Sequence, residues 1–488
     1  MTIENENRND RYNSHPYQTN NWINISYERN KFKFLKDSRY GSGGYKTGMY
    51  LVPHKRENQN DYNLRRSKSY YNNQYQAIMN AHYKPIYKNP AIRTIDENTP
   101  QAYLDLYEVF ASDCDGRGNS LQRFSETGAG YTKNMGASFW VLNNDSEVDS
   151  TIEDVLESRA GLPYVFLITP DMVSQYTTDS FGNLTSLEWY QQDGEKVYTS
   201  EGFEGLSSNG FPSSPNSLSS DDDLIVVGVN LDSWYVRRGG EIEVISENSL
   251  GILPVVRLVE DESESIIPEP SLYSVARMQH RLFNLDSIIT DISDNQAFSI
   301  FTTPTNGGSG VEFSTTKGLS YPYDSSNRPE FISPDASQLK TLLEVEQNLE
   351  NSMYKAGVVS HLQRFQQSAE SKELDRSRLN DLLGTFKNQI EKAEEKLMYI
   401  FGLYVGFDYG YMVAYSDDFG VSTIAETIDR FLALDSTGIT QAMRTKLEID
   451  LANEILDFQD DDMRQEFIEL IETERELKSN EQNIEDQI

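Results

Sequence analysis

A chain of 488 residues has room for two to four compact domains, and 37% hydrophobic with 11% aromatic residues argues against wholesale disorder. A mean hydropathy of −0.60 and a formal net charge of −34 describe a polar, acidic surface, which excludes a protein that condenses on nucleic acid through clustered Lys and Arg. No run approaches the roughly 18 apolar residues of a membrane span, and a single cysteine, Cys114, excludes an intramolecular disulfide and fits a reducing cytosol.

The charge is uneven. Residues 1–100 hold 16 Lys and Arg against 9 Asp and Glu, whereas 421–488 hold 6 against 18. Such a chain can face DNA without gripping it. The opening stretch MTIENENRNDRYNSHPYQTNN has no apolar segment of the signal-peptide kind and reads as a polar, mobile arm. The product is expected to be soluble and cytosolic where it is made.

From Tyr27 to Arg93 the sequence is rich in tyrosine. TGMYLVPH (47–54) predicts a strand, and 62–83 a helix carrying Tyr and basic residues. Asn98-Thr99-Pro100 supplies the cap and first turn of a helix whose apolar face is Leu104, Leu106, Val109 and Phe110. ASFWVLNN (137–144) and PYVFLITP (163–170) read as strands, and 223–260 as strands alternating with turns. LSSNGFPSSPNSLSSDD (206–222) reads as a surface loop.

The pattern changes at Pro268. From Ser271 to Ala297, Leu272, Val275, Met278 or Gln279, Leu282, Leu285, Ile289 and Ile292 recur at three- and four-residue steps, the stripe of a helix about 40 Å long. Residues 298–333 are short-stranded and turn-rich, with Asn306-Gly307-Gly308 as a hairpin signal. Pro334-Asp335 opens a second helix to Lys355, with Leu339, Leu342, Val345, Leu349 and Met353 inward. After a break at Ala356-Gly357, a third helix runs from Glu370 to Gly402. Its inward face is Leu379, Leu382, Leu383, Phe386, Ile390, Ala393, Leu397 and Ile400; its outer face alternates charge and includes Lys387 and Glu394. A strand-like run at Tyr411–Tyr415 comes next, and acidic helices at 424–434, 438–457 and 460–478 finish the chain.

Motifs for chemistry are thin. GSGGYKTG (41–48) partly matches a phosphate-binding loop, but Tyr45 stands before Lys46 where glycine belongs and no helix pattern follows, so a glycine turn is the better reading. DCDGRGNS (113–120) alternates oxygen ligands as a calcium loop does, yet Arg117 breaks the series and no terminal Glu closes it; a turn capped by Asp side chains fits. The histidines His15, His54, His82, His280 and His361 lack metal-ligand spacing, and His280 reads as a packing or surface residue. No metal or cofactor is expected, and no catalytic constellation is assigned.

The order of elements resembles the portal proteins of tailed bacteriophages over residues 30–406. The likeness is carried by FLKDSRYGSGGYKTGMYLVPHKRENQNDYNLRRSKSYYNN, by VFASDCDGRGNSLQRF, YTKNMGASFWVL and RAGLPYVFLITPDMV with DSFGNLTSLEW, and by LGILPVVRLVE ahead of the long helix. The resemblance implies an α+β fold, with a mixed wing domain, a helical stem, a small β clip and an α-helical crown. It divides the chain into an N-terminal arm (1–30), wing (31–267), stem helices (268–297 and 335–355) around the clip (298–334), tunnel loop (356–372), long backing helix (373–406), wing return (407–423) and crown (424–488). The crown is placed by position alone. It further implies a homo-oligomeric ring, usually of twelve copies, at one capsid vertex of the virion, assembled in the host cytoplasm. Its partners would be the terminase large subunit that packages the genome, neck and adaptor proteins, the major capsid or scaffolding protein, and double-stranded DNA held without sequence preference. Cations near the narrowest point, Lys355, His361 and Arg364, are the DNA-channel candidates, with ordinary surface charge as the alternative. On this reading the protein is not an enzyme. Rival readings are a phage enzyme with a dispersed active site and a different head-tail structural component.

Overall fold

The computed structural model describes residues 28–144, 161–190, 225–238, 241–296, 300–302, 330–332, 337–359, 369–417 and 419. The expected arm up to residue 27, the 206–222 loop, the Asn306–Gly308 hairpin, the crown helices, His361 and Arg364 lie outside the described residues, and residues 29–30, expected in the arm, begin the first helix. The chain divides into two compact units between residues 418 and 419, and the described helices and strands all lie in the first, an α+β structure.

Helices come first: α1 (Arg29–Tyr40), the single turn α2 (Gly44–Thr47), α3 (Gln59–Lys68), α4 (Gln74–Ala81), then strand β1 (Ile92–Thr94), α5 (Gln101–Ser112) and α6 (Leu121–Met135). Strands come next: β2 (Ala137–Asn143), β3 (Tyr164–Ile168), β4 (Val173–Thr178), β5 (Leu184–Tyr190), β6 (Ile225–Asn230), β7 (Ser233–Arg238), β8 (Glu241–Glu247) and β9 (Val255–Val259). The last part holds α7 (Tyr273–Gln296), β10 (Ile300–Thr302), β11 (Glu330–Ile332), α8 (Ser337–Ala356), α9 (Ala369–Val405) and β12 (Met412–Ala414).

The centre is a three-stranded antiparallel sheet in the order β3-β2-β9, with Trp140 opposite both Leu167 and Val256. β2 is buried from Ala137 to Leu142 without alternation, so both its faces are covered; α6 and α9 pack on it. Trp140 meets Phe124 of α6 edge-on at 5.5 Å, and it sits where α6 carries Gly128. A Cβ on Gly128 would lie 2.4 Å from the Trp140 indole nitrogen. The glycine is there for a close approach, not for flexibility.

A five-stranded antiparallel meander, β4-β5-β6-β7-β8, runs in sequence order. Glu188 is buried in it and accepts from Tyr235 Oη (3.0 Å), Arg237 Nη2 (2.6 Å) and Gln175 Nε2 (2.6 Å), so its charge is compensated on three sides. Two short ladders close distant parts of the chain: β1 pairs with β12, and β10 pairs with β11, Phe301 opposite Phe331. The second ladder joins the chain leaving α7 to the chain entering α8.

Several expectations need correction. TGMYLVPH is not a strand. Its start is α2, and its backbone amides are taken locally and by α7: Tyr50 N bonds Gly44 O, Leu51 N bonds Gly48 O, and Val52 N bonds Asn284 Oδ1. The single helix expected at 62–83 is two, because residues 69–73 turn out of helical conformation to let Asn73 cap α4 at Gln76 N. On α9, Leu382 is 43% exposed, while Glu394 and Lys387, expected on the charged outer face, are buried against partners from other segments. α1, α6 and the β4–β5 hairpin are elements that the sequence pattern does not announce.

An alanine at position 128 should gain at most about 1 kcal/mol of helix propensity and lose about 1–3 kcal/mol to overpacking against Trp140. Gly128→Ala is therefore expected to lower the urea midpoint, measured by circular dichroism.

Candidate functional site: the paired long helices and their anchors

The elements that carry the functional expectation are α7 and α8. α7 is held along its first half by polar side chains set into an otherwise apolar stripe. Gln279, fully buried, accepts from the Gln74 and Tyr75 amides (3.1 and 3.0 Å) and donates from Nε2 to Asn72 O at 2.7 Å. One side chain thus closes the N-terminus of α4 against α7. Asn284 donates to Tyr50 O (3.1 Å) while accepting from Val52 N (2.7 Å), and Arg65 Nη1 donates to Ser287 Oγ at 2.9 Å. Arg65 itself is fixed by a two-pronged pair with Glu57, both bonds 2.7 Å, and this bonding holds the Glu57 carboxyl below its ordinary range.

An aromatic cluster fills the space between these anchors. Tyr45, Leu51 and Phe283 form its buried centre, with Phe34, Tyr50, Tyr62 and Tyr71 packed around them. Tyr45 lies 4.3 Å from Tyr71 and 5.1 Å from Phe283, ring centre to ring centre. His280 joins it, bonded to Tyr50 O at 2.8 Å and pushed toward its neutral form by burial. The packing role expected for His280 is the observed one.

The glycine loop belongs to the same cluster. Asp37 accepts from Tyr50 Oη (2.9 Å), Ser42 Oγ (3.1 Å) and Gly44 N (3.3 Å), and its carboxylate lies where a Cβ on Gly43 would be, 2.2 Å away. The space that a phosphate would need already holds a carboxylate, and no nucleotide loop exists here. DCDGRGNS is likewise a turn capped by carboxylates: Asp115 Oδ1 accepts from Arg117 N and Asn119 N, and Asp113 Oδ1 from Gly118 N. Among the described residues no group of His, Cys, Asp and Glu is arranged to hold a metal ion.

α8 is pinned at its C-terminal end. Tyr354 Oη donates to Gln74 Oε1 at 2.8 Å, and the buried His82 donates from Nε2 to Gly357 O at 2.6 Å. Burial, aided by Lys133, lowers the His82 pKa to about 4, so the imidazole is neutral at physiological pH. Gly357 packs against Ile78 so closely that a Cβ would sit 2.4 Å from its Cγ2, and Val358 turns into left-handed conformation at φ 55°. The break foreseen at Ala356-Gly357 is thus a fixed corner. Lys355 is exposed in the last helical turn before it, where a cation suits the helix dipole. Of the three channel candidates, His361 and Arg364 lie outside the described residues.

α9 is locked from behind. Arg93 Nε donates to Glu394 Oε1 at 2.7 Å; Tyr411 Oη (2.6 Å) and Tyr415 Oη (2.7 Å) donate to its two oxygens. Glu394 is fully buried, and three donors from β1 and the β12 region make that charge tenable. Lys387 pairs with Asp417 and Glu391.

Away from these anchors the two long helices pack on each other but bury no side chain. None of residues 288–294 of α7 or 337–348 of α8 is buried. Yet these spans carry Ile288, Ile289, Ile292, Leu339, Leu342, Leu343 and Val345; Ile288 is 38%, Leu343 46% and Val345 37% exposed. The inward faces expected for both helices are buried only near the anchors, with Val275 and Leu282 on α7, Leu272 just before it, and Leu349 and Met353 on α8.

No family model matches the sequence, and no curated protein matches it either. Solved structures to which the chain is similar include a chain of the neck of an empty gene transfer agent particle, computed with C6 symmetry. That likeness has 10% identity and a TM-score of 0.44, covering 76% of this chain and 89% of the other. A chain of the native gene transfer agent virion has 10% identity and a TM-score of 0.42, covering 76% and 92%. A chain of the native particle's neck, computed with C12 symmetry, has 9% identity and a TM-score of 0.39, covering 77% and 88%.

Arg93→Met should leave Glu394 buried with only its tyrosine donors. A loss of about 3 kcal/mol in unfolding free energy is expected by urea titration, as for a buried pair broken on one side.

Proposed function

We propose that the protein is a non-enzymatic structural component of a phage-like particle, a portal that assembles as a ring of identical copies around a DNA channel. The observation that carries this reading is the bare, amphipathic half of the α7–α8 pair. Full burial of an aliphatic side chain is worth about 1.5–3 kcal/mol. Seven such side chains left half-covered on two adjacent helices mark a surface that a second copy covers. In this reading α7 and α8 are the stem helices, the β10–β11 ladder is the base of the clip, and the corner at Gly357 opens the tunnel loop. Residues 31–267 and 407–423 form the wing, α9 backs the stem, and 424–488 form the crown.

The charge supports the same reading. A wall of net negative sign repels phosphates, which lets a duplex slide without being held. Lys355, with His361 and Arg364 beyond the corner, would supply sparse cations at the narrowest point. Terminase, neck proteins and capsid or scaffolding protein are the partners of such a ring, and the virion vertex is its place.

Purified full-length protein imaged by electron microscopy should show closed rings with a central opening. The double substitution Leu343→Glu and Val345→Glu should leave single chains of unchanged helicity, because both positions are exposed within one copy. Monomers or dimers of the wild type under all conditions would overturn the proposal.

A further inference from the structure

We propose that Asp286 of α7 and Glu346 of α8 share a proton and form a clasp between the two helices that is tight in acid and loosens as pH rises. Asp286 is 2% exposed, and neither of its carboxylate oxygens meets a nitrogen or hydroxyl donor. An ionised carboxylate buried without a donor is among the costliest arrangements in a protein.

The groups that face it explain the arrangement. Asp286 lies seven residues after Gln279, on the stripe that meets residues 72–75 and α8. α8 packs on α7 and brings Glu346 within hydrogen-bonding reach of Asp286; one turn later comes Glu350, whose Oε1 accepts from Asn72 Nδ2 and Gln74 Nε2 at 3.4 Å each. Tyr354 comes next on the same face of α8, and Tyr70 faces all three acids from the α3–α4 link: burial first, then Asp286, Glu346 and Glu350, raise its phenol. On α7 itself the neighbours one turn away are Leu282, Phe283, Ile289 and Thr290, none charged. The cations that α3 brings toward α7 are engaged elsewhere, Arg65 with Glu57 and Ser287, Lys68 with Asp294.

Acid therefore meets acid with no cation between. A proton on one carboxyl supplies the missing donor and converts two repelling acceptors into an O–H···O bond. Burial first, then Glu346 and Glu350, push the Asp286 pKa up to about 8, and burial and Glu346 raise Glu350 as well. An unfolded Asp titrates near 4. A folded value above the unfolded one gives stability that is complete below about pH 4 and is lost as pH climbs toward 8. The clasp holds its proton in acid and opens as pH rises.

The test compares full-length wild type with Asp286→Asn by urea unfolding followed by circular dichroism, from pH 5 to pH 9. Asparagine keeps the shape and cannot ionise. The unfolding constant of the wild type should grow relative to that of the variant, by up to about tenfold per pH unit, until pH 8, and then level off. Glu346→Gln, which leaves Asp286 in place but removes the repulsion, should move the levelling point to lower pH. Curves for wild type and Asp286→Asn that stay parallel across the range would overturn the proposal. If Asp286→Asn does not fold, a Glu346→Gln profile that levels off at the same pH as the wild type overturns it equally.

Discussion

Reach against cover is the constraint on which this structure turns. α7 has 24 residues and spans about 36 Å, and α8 has 20 and spans about 30 Å. The rest of the described chain offers cover for only one end of that pair. At that end burial is complete, with Val275, Gln279 and Leu282 fully enclosed. Beyond Ser287 the same amphipathic stripe continues, but there, among the described residues, the helices only touch each other and Lys68, which pairs with Asp294, and no residue from 288 to 294 is buried. A helix pair built this way either wastes apolar surface or lends it to another molecule.

The anchored end shows how position is secured. The contacts that fix α7 are polar and directional: Gln279 on three backbone groups, Asn284 on two, Arg65 on Ser287. Apolar packing alone tolerates sliding between helices, whereas a buried amide matched to three partners has one register. The buried Arg93–Glu394 pair does the same for α9 against β1 and β12. Such pairs add little net stability over a hydrophobic substitute, and their value lies in selecting one arrangement. The long helices leave a rigid base.

How much of the fold is legible in the sequence depends on the range of the forces involved. The turn at Asp113–Asn119 is readable because its hydrogen bonds run between residues two to five apart. The three long helices are readable because the 3.6-residue period repeats many times. TGMYLVPH misleads because the amide that decides it, Val52 N, bonds a side chain 232 positions away. α6 is hidden by Gly128 and Gly130, which lower helix propensity in LQRFSETGAGYTKNM; both are there for close contacts, Gly128 with Trp140 and Gly130 with Arg39 and Tyr83. Glu394 looks solvated because a charge on a helix usually is, and its three donors come from other segments. Lys355 carries no local signal: it is an ordinary exposed lysine beside a corner that His82 fixes from a distant part of the chain.

The central claim is that the bare half of the α7–α8 pair is covered by another copy, and one introduced thiol tests it. Cys114 is the chain's sole cysteine, buried and with its thiol pushed toward the unreactive protonated form by burial. In a Leu343→Cys variant the new side chain would be the reactive one, so maleimide labelling reports on position 343 alone. The account predicts fast labelling of dissociated chains and strong protection in the assembled protein, with protection rising as the protein concentration rises. Equal and fast labelling at every concentration, in a preparation shown to be assembled, would contradict it.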